Sequence, residues 1–111
     1  TITGTFSSSG TAIGLRADGC TNWASMNTFA VESVGDAGAA GFYCDRCTDS
    51  IVADCLVENI QSLSGFAYGI FLNRSSHCSI RHNTVIKCVG GRDSFGIVDT
   101  SEPSSSVFIN N

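Results

Sequence analysis

Gly41-Phe42-Tyr43-Cys44-Asp45 and Gly69-Ile70-Phe71-Leu72-Asn73 are the stretches on which the fold turns. Each opens on glycine and then alternates, Ile70 and Leu72 pointing one way and Phe71 and Asn73 the other, which is the period of a strand. The same step occurs before them as Gly14-Leu15-Arg16-Ala17-Asp18 and after them as Gly96-Ile97-Val98-Asp99-Thr100. The four glycines stand 27, 28 and 27 residues apart. Other registers keep time with them. Asp18-Gly19-Cys20-Thr21-Asn22 is echoed by Asp45-Arg46-Cys47-Thr48-Asp49 and, more loosely, by Asn73-Arg74-Ser75-Ser76-His77. Asn27, Asp54, Asn83 and Asn110 recur at spacings of 27, 29 and 27. Several registers sharing one period identify a solenoid.

The repeat holds short apolar runs bounded by Gly, Ser, Asn and Asp, and no stretch of ten or more residues with helical period. The expectation is an all-β chain: a right-handed parallel β-helix of about four coils, 27–28 residues each, with three short strands per coil. Residues 1–111 then form a single unit. Residues 1–13 end a preceding coil, 14–40, 41–68 and 69–95 are full coils, and 96–111 is a partial one. Residues one period apart stack at about 4.8 Å. Leu15, Phe42, Ile70 and Ile97 make one inward ladder; Ala17, Cys44 and Leu72 make another, with Asp99 breaking it. A second strand should bring together Ile51, Ile80 and Val107, and a third Phe29, Leu56 and Val85. The Asn27/Asp54/Asn83/Asn110 column should lie at the turn between them, where stacked amides hydrogen-bond and left-handed φ makes the bend. Val34 to Ala40, Gln61 to Tyr68 and Gly90 to Phe95 read as loops, where solenoids carry function.

Composition narrows the classes of function. Only 14% of residues are charged, the net charge is −4, and the six Lys and Arg are scattered. Nucleic acid and anionic membrane are therefore poor partners, and no apolar run reaches a membrane span. The six cysteines sit largely within apolar runs, so reduced thiols packed as small hydrophobes are expected, with three bridges of a secreted domain as the alternative. Cys44-Asp45-Arg46-Cys47 lacks a second pair, so neither a zinc site nor any other cofactor is expected. The chain starts on Thr1 and stops on Val107-Phe108-Ile109-Asn110-Asn111, a second strand, with no capping helix. That leads to the expectation of a segment of a longer protein, or of ends covered by other chains.

Gly41-Phe42-Tyr43-Cys44, Gly69-Ile70-Phe71-Leu72 and Ile80-Arg81-His82-Asn83-Thr84-Val85 resemble repeats of the pectate-lyase-like right-handed β-helix superfamily. Phage tailspikes and surface-polysaccharide depolymerases are among its members. The resemblance covers nearly the whole chain and lies in the fold pattern, not in a catalytic motif. It implies an elongated, carbohydrate-facing solenoid, located in a virion tail or outside the cell. In tailspikes such a solenoid is usually a homotrimer.

Two constellations are candidates for chemistry. Asp18 and Asp45 share a column, close to the carboxylate separation of retaining glycosidases, so they are the catalytic candidates if the chain is an enzyme. Otherwise they end the first strand and cap a turn. Two such acids repel unless one is protonated or a cation intervenes. Arg16, Tyr43 and Phe71, with Val98, occupy the outward position between the inward ladders. Such a stripe either buries against a neighbouring subunit or stacks sugar rings. Glu32, Glu58 and Lys87 form a further column, with Glu58 above Lys87 as an exposed ion pair. His77 and His82 lack a nucleophile at motif spacing. The leading expectation is a tailspike or virion-fibre segment that faces or binds cell-surface polysaccharide. A polysaccharide lyase, glycoside hydrolase or epimerase is the alternative, and a structural fibre spacer the third.

Overall fold

The computed structural model describes residues 2–102 and 105–111, with backbone alone at residues 2, 3 and 29–31. Among these residues the chain is entirely strand and turn. β1 (Ile2–Ser7) precedes three repeats of a long, a short and a long strand. These are β2 (Thr11–Asp18), β3 (Ala24–Met26) and β4 (Phe29–Gly35); then β5 (Gly38–Asp45), β6 (Ile51–Ala53) and β7 (Leu56–Ser62); then β8 (Phe66–Asn73), β9 (Ser79–Arg81) and β10 (Thr84–Gly90). β11 (Ser94–Asp99) and β12 (Val107–Ile109) begin the next repeat. Corresponding strands pair in parallel to give three four-stranded sheets, ordered β1-β4-β7-β10, β2-β5-β8-β11 and β3-β6-β9-β12. This is a parallel β-solenoid of about four coils.

The first-strand ladders stand as expected. Leu15, Phe42, Ile70 and Ile97 are in register, as are Ala17, Cys44, Leu72 and Asp99. Phe42, Ile70 and Leu72 are fully buried, and Val52, Val57, Ile60 and Ile80 complete the centre of the core. Each long strand of the second sheet bends at its glycine. A side chain at Gly41 would run into Val57 and the Gly69 carbonyl oxygen, so the corner needs glycine. All six cysteines are free thiols, and Cys44, Cys47, Cys55 and Cys78 are buried in the core. Burial pushes the Cys44 thiol up to about 12, with the neighbouring Cys47 thiol a lesser cause, and pushes Cys88 up to about 11.

The second- and third-strand columns differ from the expected ones by one residue. Ile51 pairs with Ser79 and Val107, while Val52 pairs with Ile80 and Phe108. Leu56 pairs with Thr84, and Val57 with Val85; the expected partner Phe29 is in register with Leu56, and its side chain lies outside the described residues. The cause is in the turns. Two residues, 36–37, separate β4 from β5, but three, 63–65, separate β7 from β8, so the offset stays at 28 through β8, β9 and β10. Ile51-Val52 and Leu56-Val57 are apolar doublets, and a doublet does not reveal which member faces inward. A one-residue slip exchanges the two faces.

The expected asparagine column divides its two tasks between neighbouring positions. Asn27, Asp54, His82 and Asn110 make the bend, at φ 52°, 53°, 53° and 48°. The amide ladder stands one residue later. Asn83 Oδ1 accepts from the Cys55 amide at 3.0 Å and its Nδ2 donates to the Val52 carbonyl at 3.0 Å. Asn111 repeats the pattern, accepting from the Asn83 amide at 3.1 Å and donating to the Ile80 carbonyl at 2.9 Å. Glu32, Asn59 and Lys87 share a second left-handed corner at φ 57°, 57° and 55°. Glu58 stands before that corner, in register with Val31 and Ile86, so it is not stacked on Lys87. The expected loops are mostly strand, and within them the turns narrow to residues 36–37, 63–65 and 91–93, with 8–10 the equivalent turn before β2. Serine ties them: Ser7 Oγ accepts from the Gly10 amide and Ser62 Oγ from the Gly65 amide, each at 3.0 Å. Among the described residues no buried side-chain polar atom lacks a partner.

Candidate functional site: an aromatic cleft and an ion staircase on one sheet

Both constellations singled out in the sequence lie on the outer side of the β2-β5-β8-β11 sheet. Arg16, Tyr43, Phe71 and Val98 are in register as one column. The Arg16 guanidinium lies 5.3 Å from the Tyr43 ring centre, and Tyr43 meets Phe71 edge-on at 5.1 Å. Beside this column runs Ile13, Ala40, Tyr68 and Phe95. Tyr68 stacks on Phe71 at 4.5 Å and on Phe95 at 5.4 Å, and Phe66 lies 6.0 Å from Tyr68. Arg92 covers the far end, 5.0 Å from the Phe66 ring centre. These separations are the ordinary range for attractive ring contacts.

The two columns enclose a pocket of about 200 Å³. Tyr43, Phe66, Tyr68 and Phe71 form its walls, and Gly38 and Ala40 its floor. Burial is the main cause that raises the Tyr68 hydroxyl above its ordinary value, with Asp93 and Tyr43 adding to it, so this hydroxyl stays protonated. The Tyr43 hydroxyl accepts from Asn73 Nδ2 at 3.4 Å.

Phe66, Tyr68 and Phe95 escaped the sequence reading because residues 61–68 and 90–95 read as loops. The signal was present: Tyr68 and Phe95 each precede a repeat glycine and stand 27 residues apart.

At the other end of the same strands, Asp18, Asp45, Asn73 and Thr100 continue the sheet. Asp18 and Asp45 are direct partners, and arginines are interleaved with them. Arg74 grips Asp45 with two bonds, Nε to Oδ1 at 3.1 Å and Nη2 to Oδ2 at 2.7 Å, while Asn73 Nδ2 donates to Oδ1 at 3.1 Å. Arg46 donates to Asp18 Oδ1 and holds its Nε 3.6 Å from Asp45 Oδ2. Arg16 reaches Asp18 Oδ2 at 3.4 Å. Arg46 and Arg74 stand at φ 55° and 49°, and each carries its guanidinium to the carboxylate of the coil before it. The Arg46 hydrogen bond is the main cause that holds the Asp18 carboxyl below the usual carboxylate range. The repulsion expected between two stacked acids is thus offset by arginine cations. With the Asp45 side chain only 4% exposed, the arrangement favours an architectural role over a nucleophile's.

His82 Nδ1 lies 3.6 Å from Asp54 Oδ1 at an exposed corner. Among the described residues no group of three His, Cys, Asp or Glu side chains is placed to hold a metal ion, and no helix is long and apolar enough to cross a membrane.

Fold and site together define a parallel β-solenoid that presents an aromatic face. The model of the right handed beta helix region family matches residues 1–111, and the chain belongs to that family. No curated protein and no solved structure matches it.

Proposed function

We propose that this chain is a carbohydrate-facing module, a β-helical segment of a virion tailspike or fibre whose aromatic face meets cell-surface polysaccharide outside the cell. The observation that supports this reading is the cleft bounded by Tyr43, Phe66, Tyr68 and Phe71 on one rigid sheet. A pyranose ring has an apolar C–H face and a polar hydroxyl edge. Aromatic walls take the face, and polar groups at the rim, Thr11 and the Tyr68 hydroxyl, are available to the edge. The ladder holds the rings in place before any ligand arrives, so little ordering entropy is lost on binding. In this reading the module works as a homo-oligomer, for which a trimer is our proposal.

The test is calorimetric binding of the chain to a panel of purified bacterial capsular and O-antigen polysaccharides, with reducing ends and unsaturated products assayed in parallel. Binding to one polysaccharide without product release, weakened about tenfold or more by Tyr43→Ala, supports the proposal. Released product would move the chain to the enzymes. Absence of binding across the panel would leave a structural spacer.

A further inference from the structure

The cleft lies where the aromatic column ends, because the coils before Phe66 and Tyr68 carry no rings to continue it. In register with Tyr68 and Phe95 stand Ala40 and Ile13, and in register with Phe66 stand Gly38 and Thr11. Where the third coil carries two aromatic rings, the second carries only Gly38 and Ala40. Tyr43 and Phe71 close the side of this gap. Thr11 bounds it from the coil before: a Cβ built on Gly38 would lie 3.3 Å from Thr11 Oγ1. Phe66 and Tyr68 bound it from the coil after, and Ala37 lies at the turn.

Leaving this gap open is unfavourable for the fold alone. An aromatic side chain buries roughly 150–250 Å², and the ladder is already in register to receive one. Small residues at both Gly38 and Ala40 therefore keep a space that stability alone would fill. At about 200 Å³ it falls below the roughly 300–1,000 Å³ of pockets that take drug-sized ligands.

Resting on the carbohydrate reading above, we infer that the slot over Gly38 and Ala40 takes a single pyranose ring, a chain terminus or side branch rather than a run of backbone sugars. The ring completes the aromatic column, with its C–H face on Phe66 and Tyr68 and its hydroxyls toward Thr11 Oγ1. Gly38 and Ala40 set the specificity, since any larger side chain there occupies the sugar's place.

The test uses the full chain with the methyl glycopyranosides of glucose, galactose, mannose and rhamnose, together with oligosaccharides of increasing length cut from the polysaccharide that binds. Saturation-transfer NMR reads the contact, and calorimetry the affinity. One methyl glycoside should bind within about threefold of the longest oligosaccharide that carries that sugar at its tip. Ala40→Tyr should lower affinity at least about tenfold while circular dichroism shows the variant folded. Gly38→Val, which closes the slot from the same strand, is the second variant if Ala40→Tyr does not fold. Affinity that climbs about tenfold or more with chain length, or closed-slot variants that bind like wild type, would overturn the single-ring inference and leave the carbohydrate reading standing. Failure of every sugar and polysaccharide to bind wild type would overturn both. Self-association of wild type that Ala40→Tyr abolishes would assign the slot to a second copy and also overturn the inference.

Discussion

The two ends of the β2-β5-β8-β11 sheet solve the same stacking problem in opposite ways. At one end Asp18, Arg46, Asp45 and Arg74 interlock so that each carboxylate meets a guanidinium. At the other end Tyr68, Phe71 and Phe95 stack and then stop, because Gly38 and Ala40 carry no ring. A solenoid column is stable when every level is filled with a group that suits its neighbours. The staircase is filled with paired charges; the aromatic column is incomplete, and in the proposed reading a ligand completes it.

The difference can be broken most forcefully at Arg74. Arg74→Ala leaves the buried Asp45 without its two-bonded partner, which should cost about 2–3 kcal/mol, below the loss for a fully buried pair because Arg74 itself is exposed. Urea unfolding reads this, and glycan affinity of the folded fraction should not change. Tyr68→Ala should show the reverse balance. It costs about 1–2 kcal/mol of stability, since the ring is half-buried, and it should abolish glycan binding in the same titration.

Acid should act on the staircase before it acts on the cleft. The Asp18 carboxyl titrates below its ordinary 3.8, so its contribution is present above that pH and is lost as pH falls through the lowered folded value. The unfolding midpoint should fall over that window, and by less in high salt, which screens the exposed pair. Glycan affinity measured by calorimetry should change little over the same range until unfolding begins.

On the alkaline side the effect is confined to pH above 9. Cys44 ionises at 9.0 when exposed and at about 12 in the folded chain. Between those values the unfolded state has given up a proton that the folded state retains, so stability present below pH 9 declines toward pH 12. Cys44→Ala should flatten that decline. Alkylation of the native chain with iodoacetamide near pH 8 should leave Cys44 and Cys88 largely unmodified, because the thiolate is the reactive form.

Much of the fold was legible because glycine and the alternating residues after it mark the first strand of every coil without ambiguity. The inward ladder of Leu15, Phe42, Ile70 and Ile97 and the outward column of Arg16, Tyr43 and Phe71 followed from that mark alone. The second and third strands were harder. Ile51-Val52 and Leu56-Val57 each offer two apolar residues in a row, and the three-residue turn at 63–65 shifts the pairing by one. The site was half legible for a related reason. Ser, Gly and Ala around positions 61–68 suggested loop, so Phe66 and Tyr68 were passed over as loop residues rather than placed on the face beside Phe71.

The sequence by itself determined that the chain is a solenoid, because a period of 27 and 28 residues in several registers has no other physical use than stacking like on like. It also determined that Asp18 would stand over Asp45, since a period fixes which residues meet. Only the tertiary structure decided what those meetings amount to. Left-handed backbone at Arg46 and Arg74 carries their guanidinium groups between the acids, and the offset set by the turns places two rings of one coil against two small residues of the coil before. A repeat specifies neighbours, but the direction of each side chain depends on local φ and on turn length, which the period does not record.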